Sequence, residues 1–338
     1  MKNLGLLHKL LFIINSICAL LLLMSYALPY VFPKSFPSIA VLSLTVPILI
    51  VVNLLFLIYW TFRLRKQLIV SLLVLVLGFT HVTSLYRFGG NANFAESDFT
   101  VMSYNVRLFN NFEQIKSDSI GDKLVQFIAD NDPSVLCMQE FHKRKDVIGY
   151  RYKYKKLKSN KRSSGLAIYS KFPIIDAGSV NFPDTHNNAI FVDVVRQQDT
   201  IRIYNVHLQS LKVIPELEKI AEEDSKKLYG RIGNTFAMQQ TQIELFNKHR
   251  KKSPYKTIIC TDLNNTQYSN VYNQLSEGVN DSFIEQGSGF GRTFNFRFFP
   301  VRIDFIMADA NFEINAFNSF SVPFSDHYPV MAGFSIKE

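Results

Sequence analysis

Apolar residues are concentrated in three long runs before residue 90, and shorter apolar runs alternate with polar segments in the remainder of the chain. The long runs cover Leu10–Val31, Ile39–Phe62 and Leu68–Leu85, and none of them contains an acidic residue. Each has the roughly 20 residues that a helix needs to cross a bilayer. The pattern therefore predicts three transmembrane helices within residues 1–88.

After residue 88 the apolar runs shorten to strand length. The small polar stretch Gly89–Asn93 marks a boundary, so residues 89–98 are interpreted as a linker and residues 99–338 as a separate domain. Strand-like runs at 99–106 and 134–140 flank a helically spaced segment at 120–131, which predicts an α/β (α+β) fold. Further strands are predicted at 164–170, 189–195, 200–207, 257–264, 293–296 and 301–307, and a helix over 213–250.

The positive charge of the chain is unevenly distributed. The formal net charge is +9, but residues 1–90 hold seven Lys/Arg and no Asp or Glu, so the rest of the chain is close to neutral. The charge is therefore poor support for nucleic-acid binding by the second domain. Three cysteines, Cys18, Cys137 and Cys260, form no disulfide or metal-binding pattern and are interpreted as buried apolar residues.

The basic residues of the N-terminal third predict its orientation. Lys2 and Lys9 precede the first run, and three more basic residues lie at 63–66, whereas the other side carries only Lys34 and Arg87. By the positive-inside rule the N-terminus is expected in the cytoplasm and the domain 99–338 outside it, on a multi-pass protein of the cytoplasmic (inner) membrane. A cleaved signal peptide is the alternative for the first run, disfavoured because two more runs follow.

Several polar residues occupy the ends of apolar strands. Taken singly, each has an ordinary explanation, such as a helix cap, a surface acid or a core histidine. Taken together they are expected to converge on one rim of a packed sheet, where carboxylate and amide oxygens favour one or two Mg²⁺, Mn²⁺ or Ca²⁺ ions over Zn²⁺. The residues are Asn105, Glu140, His207, Asp262, Asn264, Asp304, Asp326 and His327.

Two further stretches have open interpretations. Residues 143–162 contain ten Lys/Arg and one acid, and form either a solvated edge strand or a phosphate-binding or membrane-facing ribbon that includes Arg151 and Lys153. The phenylalanine-rich stretch Phe290–Phe299 is interpreted as core packing, with lipid contact as the alternative.

An ordered series of motifs resembles the endonuclease/exonuclease/phosphatase superfamily and spans residues 99–336. The resemblance implies a four-layer α/β/β/α sandwich and metal-dependent hydrolysis of phosphate esters. One departure is Thr261, where the family usually has Gly. The motifs are Ser103-Tyr104-Asn105, Gln139-Glu140, Ser164–Ile168, Asn205-Val206-His207, Asp262-Leu263-Asn264, Arg302-Ile303-Asp304 and Ser325-Asp326-His327.

The resemblance also implies roles for single residues. Glu140 would be the main metal ligand, with Asn105 beside it and Asp326 in support. His327, oriented by Asp304, would activate the attacking water, while Asp262 and Asn264 position the nucleophile and phosphate, and His207 hydrogen-bonds a phosphoryl oxygen. Asn205, Arg151 and Lys153 are assigned to substrate binding.

These observations predict a membrane-anchored, extracytoplasmic phosphoesterase that depends on a divalent metal and acts on phosphodiesters. The expected partners are the lipid bilayer, through three spans, and a phosphate-ester substrate, either nucleic acid or a phospholipid or sphingolipid. The alternative is a catalytically silent membrane scaffold or receptor that retains the fold.

Overall fold

A computed structural model of the chain contains the N-terminal helices and a domain built from two sheets. The model describes residues 5–113, 115–117, 119–158, 163–212, 224–296 and 299–337. Residues 213–223 of the predicted helix 213–250, residues 159–162 of the basic ribbon, and Phe298 therefore lie outside the described residues.

Within the described ranges the α-helices are α1 Leu6–Ser25, α2 Pro37–Val41, α3 Val46–Phe62, α4 Leu68–Leu77, α5 Phe79–Leu85, α6 Ile120–Asn131, α7 Ser225–Arg250, α8 Asn270–Leu275 and α9 Ser282–Gln286. The strands are β1 Phe99–Asn105, β2 Val135–His142, β3 Tyr152–Leu157, β4 Ser164–Ser170, β5 Ile174–Asn181, β6 Asn188–Arg196, β7 Asp199–His207, β8 Lys256–Asp262, β9 Val279–Asp281, β10 Asp304–Asp309, β11 Phe312–Ser319 and β12 Val330–Ile336.

The described strands form two six-stranded sheets that pack face to face. Their orders are β11-β12-β1-β2-β4-β3 and β5-β6-β7-β8-β10-β9. The central strands are continuous apolar runs because both of their faces are buried. Alternate residues of β1 and β8, such as Val101 and Cys260, meet in the core between the sheets, while their neighbours face the helices.

The outer face of each sheet is covered by helices. Leu124 and Ile128 of α6 pack on the first sheet, and Ile243 and Phe246 of α7 pack on the second. The layers therefore follow the order α/β/β/α, and the predicted fold class is confirmed.

The N-terminal helices differ from the prediction in one respect. Among the described residues, two helical segments, Leu6–Tyr30 and Pro37–Phe62, are long and apolar enough to cross a membrane. The third run was predicted as one helix over Leu68–Leu85, and this is wrong, because α4 and α5 meet at an angle of 81°.

The bend at Gly78 has a steric cause. A Cβ at residue 78 would lie 2.0 Å from the Tyr26 ring, so glycine here lets the ring pack against the break, and a larger residue would require the ring to move. The Tyr26 hydroxyl donates a hydrogen bond to the Val74 carbonyl at 2.8 Å and fixes the ring at the break.

The polar residues of the N-terminal helical bundle (residues 6–85) hold its helices together. Asn15 donates a hydrogen bond to Ser71 at 2.7 Å, and the Trp60 indole donates one to Asn15 at 3.0 Å. All three side chains are fully buried. Hydrogen bonds of this kind join helices packed in an apolar environment.

Candidate active site

Strand alternation aims several of the predicted polar residues into the space between the sheets. Asn105, His207 and Asp262 are the last residues of β1, β7 and β8, and they fall on the inward-facing positions of these strands. Register pairs Asp262 with His207 on one side and with Asp304 on the other. Because side chains in a strand alternate with a period of two, these residues share one face and meet at one edge, called the rim below.

One hydrogen bond joins the two sheets at the rim. The Asn105 amide donates to the Asp262 carboxylate at 2.8 Å. The exposed fractions are 3% for Asn105 and 0% for Asp262, so the bond lies out of solvent. Burial raises the pKa of Asp262 and the nearby Asp304 raises it further, whereas His327, His207 and the bond from Asn105 act in the opposite direction.

His327 is held by two carboxylates. Its Nδ1 lies 3.1 and 3.0 Å from the two oxygens of Asp304, and its Nε2 lies 3.8 Å from Asp262. The Phe294 ring contacts the imidazole edge-on at 5.0 Å between centroids. Burial alone would lower the pKa of His327, but Asp304 and Asp262 raise it to about 10. The ring is therefore an imidazolium at neutral pH when no cation is near.

Asp304 is itself fixed by the backbone around it. The Thr293 hydroxyl accepts hydrogen bonds from the backbone amides of Ile303 at 2.9 Å and Asp304 at 3.0 Å. The Tyr328 amide, next to His327, donates to the Thr293 carbonyl at 2.7 Å. Thr293 therefore ties the acid and the histidine to one loop, a role that the sequence did not indicate.

His207 has the opposite charge preference to His327. Its Nε2 lies 3.5 Å from Asp262, and its side chain is buried. Burial lowers its pKa to about 4, helped by Lys158 and His327 and opposed by Asp262. A neutral imidazole can donate one hydrogen bond without adding a full charge to the site.

This shift predicts a pH dependence of stability in EDTA. Between pH 6.5 and about 4 the unfolded chain binds a proton at His207 that the folded chain does not, so stability falls as the pH drops through this window. His207→Gln is expected to remove up to about 3 kcal/mol of this acid-side loss. Urea unfolding of both proteins from pH 7.5 to 4 measures it, and parallel curves for the two proteins would contradict the assignment.

Glu140 lies beside Asn105 on the neighbouring strand and breaks the alternation. The pairing of β2 with β4 shifts register between Met138 and Phe141, and Glu140 has a φ of 50°. A bulge with a left-handed residue re-aims one side chain, and such features are frequent next to active sites. The direction of the Glu140 side chain is therefore set by the bulge and not by the strand alternation.

Asn264 and Asp326 lie close to the same edge. The Asn264 backbone amide donates to Asp262 at 3.0 Å, and its side-chain amide donates to the Leu208 carbonyl at 3.1 Å. Asp326 forms an ion pair with Arg107 at 3.3 Å. Arg107 was not among the predicted residues, although it follows the Ser-Tyr-Asn motif by two positions.

The structure places Asn205 between the sheets and away from solvent. Its exposed fraction is 0%, and its amide donates to the Met138 and Ala167 carbonyls at 2.9 and 3.0 Å. Its oxygen accepts from Gln139 at 2.8 Å. The side chain joins β7 to the opposite sheet, and the substrate contact expected of it has no support in this placement.

Arg151 and Lys153, predicted to bind substrate, lie at the start of β3, at the end of the sheet away from Glu140. Register places Tyr152 level with Val135, at the start of β2, whereas Glu140 lies near its end. Lys153 is also paired with Asp146 at 2.8 Å. Among the described residues of this ribbon, the basic side chains that line a cleft with His207, about 270 Å³ in volume, are Lys156 and Lys158. The basic stretch itself could be seen in the sequence, but the direction in which its strand runs in the sheet could not.

A compact group at the rim offers ligands to a cation. Ligand atoms of Asp262, Asp304 and His327 lie within 4.8 Å of one another, and all three residues are buried. This group differs from the predicted ligands Glu140, Asn105 and Asp326. Because Asp304 and His327 already bond to each other, we consider the group a hydrogen-bonded charge cluster that a cation would adjoin. Buried, closely spaced carboxylates are the environment that a hard divalent cation stabilises.

Solved structures share this architecture at low sequence identity. Mannosyl-6-phosphatase of Bacteroides thetaiotaomicron is 17% identical with a TM-score of 0.54, covering 71% of this chain and 100% of its own. An endonuclease/exonuclease/phosphatase of Bacteroides vulgatus is 16% identical with a TM-score of 0.55, covering 72% and 100%. ANGEL2, a 2′,3′-cyclic phosphatase, is 16% identical with a TM-score of 0.52, covering 74% and 99%. Likeness at this level shows the fold.

Sequence comparisons divide the chain between the N-terminal helices and the two-sheet domain. A search of curated proteins gave no match. A family model described as a domain of unknown function, DUF8431, matches residues 8–85. The model of the Endonuclease/Exonuclease/phosphatase family matches residues 102–327, which is more than half of the chain and ends at His327. With the α/β/β/α layers and the rim residues in place, the chain belongs to the endonuclease/exonuclease/phosphatase family.

Proposed function

We propose that the protein is a membrane-anchored, extracytoplasmic phosphoesterase that depends on a divalent metal ion and cleaves phosphodiesters. The observation that carries the proposal is the buried chain of contacts from Asp304 through His327 and Asp262 to Asn105 and His207. It brings together the Asp304–His327 pair, a second imidazole, His207, which is neutral, and the Asn105 amide that bonds across the two sheets. The family to which the chain belongs supports hydrolysis of a phosphate ester.

The residues divide the chemistry between them. His327, oriented by Asp304, accepts the proton of the attacking water, and Asp262 with Asn264 holds that water opposite the leaving group. Neutral His207 donates a hydrogen bond to a phosphoryl oxygen, which stabilises the charge that grows as the phosphorus becomes five-coordinate. Lys158, beside His207, adds positive charge on the substrate side.

Glu140 and the Asn105 oxygen would hold the metal, with Asp326 nearby. The donor set fits, since these groups are oxygens and the adjoining Asp262 and Asp304 are buried carboxylates. A bound divalent cation supplies positive charge that polarises the phosphoryl oxygen and lowers the pKa of adjacent water and imidazole. Such a charge would oppose the rise of the His327 pKa caused by its acidic neighbours, as the base role of the ring requires.

Removal of the metal is the direct test. Hydrolysis of bis(4-nitrophenyl) phosphate by the full-length protein is expected with Mg²⁺ and not with EDTA. Glu140→Gln is expected to require at least about tenfold more Mg²⁺ for half-maximal rate, judged from the affinity lost when groups around metal sites are changed. Glu277→Gln, an exposed acid paired with Lys251, is the matched control and should leave the requirement unchanged. Absence of metal-dependent turnover in the wild type would support a silent scaffold instead.

The location of the domain is a separate part of the proposal. It is supported by the two long apolar helices and by the excess of basic residues before the apolar run that begins at Leu10 and at 63–66. It requires that α4 and α5 together complete the third crossing. A reporter enzyme fused to the C-terminus and active only outside the cytoplasm is expected to be active, and a fusion active only inside would refute the orientation.

A further inference from the structure

The active-site loop after β8 packs against the N-terminal helical bundle. Tyr268 follows Asp262 by six residues, and its exposed fraction is 1%. Its side chain packs among bundle residues that include Leu28 and Leu85. Its hydroxyl donates to the His81 carbonyl at 3.1 Å. The loop that carries two candidate catalytic residues is thus anchored at its far end in the bundle.

Gln239 of α7 holds the middle of the same loop. Its amide donates to the carbonyls of Asn264 at 3.2 Å and Gln209 at 2.7 Å, and its oxygen accepts from Asn265 at 2.8 Å. The side chain is fully buried. Helix α7 is therefore attached to the rim by a bonded, buried residue.

The N-terminal half of α7 packs on the bundle. Ile232 and Phe236 form one apolar cluster with Ala40 and Val41 of α2. The Tyr229 hydroxyl donates to the Ser38 carbonyl. A cleft of about 960 Å³ lies between α7 and the segments 184–187 and 209–212, and Lys158 also lines it. A single helix, about 10 Å across, separates this cleft from the bundle.

All of these contacts involve one end of the bundle. Pro29 at the end of the first apolar segment accepts a hydrogen bond from Asn270 at 2.8 Å, and His81 and Ser84 near the end of α5 contact the loop at 267–268. Exposed aromatic side chains surround this end, with exposed fractions of 70% for Tyr30, 53% for Phe32 and 56% for Phe36. Aromatic residues are typical of the level of the lipid headgroups.

The predicted linker does not allow the domain to move away from the bundle. Arg87 exchanges two backbone hydrogen bonds with Gly289, both at 2.9 Å. Asn91 donates through its backbone to Gln286 at 3.1 Å and through its side chain to Asn315 at 2.8 Å. Bundle and domain are therefore packed and hydrogen-bonded to each other.

We infer that the substrate is a phosphate ester carried by a lipid of the bilayer in which the protein itself resides. The inference rests on the proposed function and names its substrate class. In a bilayer crossed by the bundle, the end of the bundle that packs on the domain would lie at the headgroup level, and the loop that follows Asp262 packs on that same end. The cleft opens beside the helix that packs on the bundle. A nucleic acid would instead need an extended positive surface, and the chain after residue 90 is close to neutral.

The test compares one ester presented in three ways to the full-length protein in phosphatidylcholine vesicles with Mg²⁺. Headgroup-labelled phosphatidylglycerol or sphingomyelin is placed in the same vesicles as the protein, or in separate protein-free vesicles, and the deacylated headgroup ester is supplied in solution. Hydrolysis in the shared vesicle is expected to be at least about 100-fold faster than in the other two arms, because confinement to one surface raises the effective concentration.

Other outcomes separate this inference from the proposed function. Hydrolysis of single- or double-stranded DNA or of RNA at rates equal to or above that of the shared-vesicle lipid would overturn the lipid inference and leave the phosphoesterase intact. Hydrolysis of bis(4-nitrophenyl) phosphate without hydrolysis of either lipid would do the same. Failure to hydrolyse even the aryl ester would overturn both.

A variant pair tests the contact between α2 and α7. Ala40→Asp places a charge in the buried contact with Ile232 and Phe236, whereas Ser35→Asp adds the same charge at an exposed position five residues earlier. Ala40→Asp is expected to slow shared-vesicle hydrolysis at least about tenfold, since an unpaired buried charge strongly disfavours the contact. Aryl-ester turnover, which reports a folded site, should stay within about twofold of wild type. Equal lipid rates in the two variants would contradict the arrangement.

Discussion

His327→Ala is expected to lower the kcat for bis(4-nitrophenyl) phosphate by at least about 1,000-fold, the scale seen when an essential catalytic group is removed. The ring is the one described imidazole that lies between two buried carboxylates, with Asp304 at 3.0 Å and Asp262 at 3.8 Å. KM is expected to change less than kcat, because the interaction acts on the attacking water.

Two further variants make the result specific. Asp304→Asn should lower kcat by less than His327→Ala, because the ring keeps a hydrogen-bond partner but loses the charge that orients it. His249→Gln is the matched control, since His249 contacts the Tyr204 hydroxyl at 3.0 Å on the outer side of the second sheet. Wild-type kcat in His327→Ala, at equal folded fraction by circular dichroism, would remove His327 from the mechanism.

Asp281→Ala is expected to destabilise the domain by about 3–5 kcal/mol, the cost of leaving one member of a buried ion pair without its partner. The Arg302 guanidinium donates to Asp281 at 2.6 Å, and their exposed fractions are 3% and 6%. Asp281 also accepts hydrogen bonds from the Tyr272 hydroxyl at 2.7 Å and the Phe283 amide at 2.9 Å. One substitution therefore leaves three buried donors without an acceptor.

Urea unfolding of the full-length protein in detergent, followed by circular dichroism, measures this loss. The control is Asp199→Ala, because Asp199 pairs with Lys256 at 3.4 Å with side chains 41% and 31% exposed. A partly exposed pair of this kind contributes about 1 kcal/mol or less. Similar losses in the two variants would show that the Arg302 pair is not a major source of stability. Because Arg302 precedes Asp304 by two residues, Asp281→Ala is also expected to lower kcat.

The sequence predicted much of the site because strand alternation is a local property. The inward positions of β1, β7 and β8 can be counted along each strand, and Asn105, His207 and Asp262 fall on them. The predicted fold class and the family are confirmed, since a matching order of motifs requires the same order of strands. The catalytic and metal-binding roles of these residues stay predictions until the variants above are measured.

Other features depended on neighbours that are distant in the chain. Arg151 and Lys153 lie at the start of β3, far from Glu140, because the direction of β3 is decided by its pairing with β4. Asn205 faces the interior because the opposite sheet supplies carbonyls at bonding distance. The bulge that aims Glu140 and the bend at Gly78 likewise arise from packing that no local pattern encodes.

The sequence by itself determined most of the elements and the residue types available at the strand ends, because alternation and helical spacing report burial within each element. The layers were expected from the resemblance of the ordered motifs to a known family. Only the tertiary structure decided which of those residues meet. Asn105 and Asp262 are 157 positions apart and are joined by one hydrogen bond. Tyr268 reaches His81 across 187 positions and places the active-site loop against the bundle. Contacts at such separations depend on how the sheets and the bundle pack together, which the order of residues along one strand does not express.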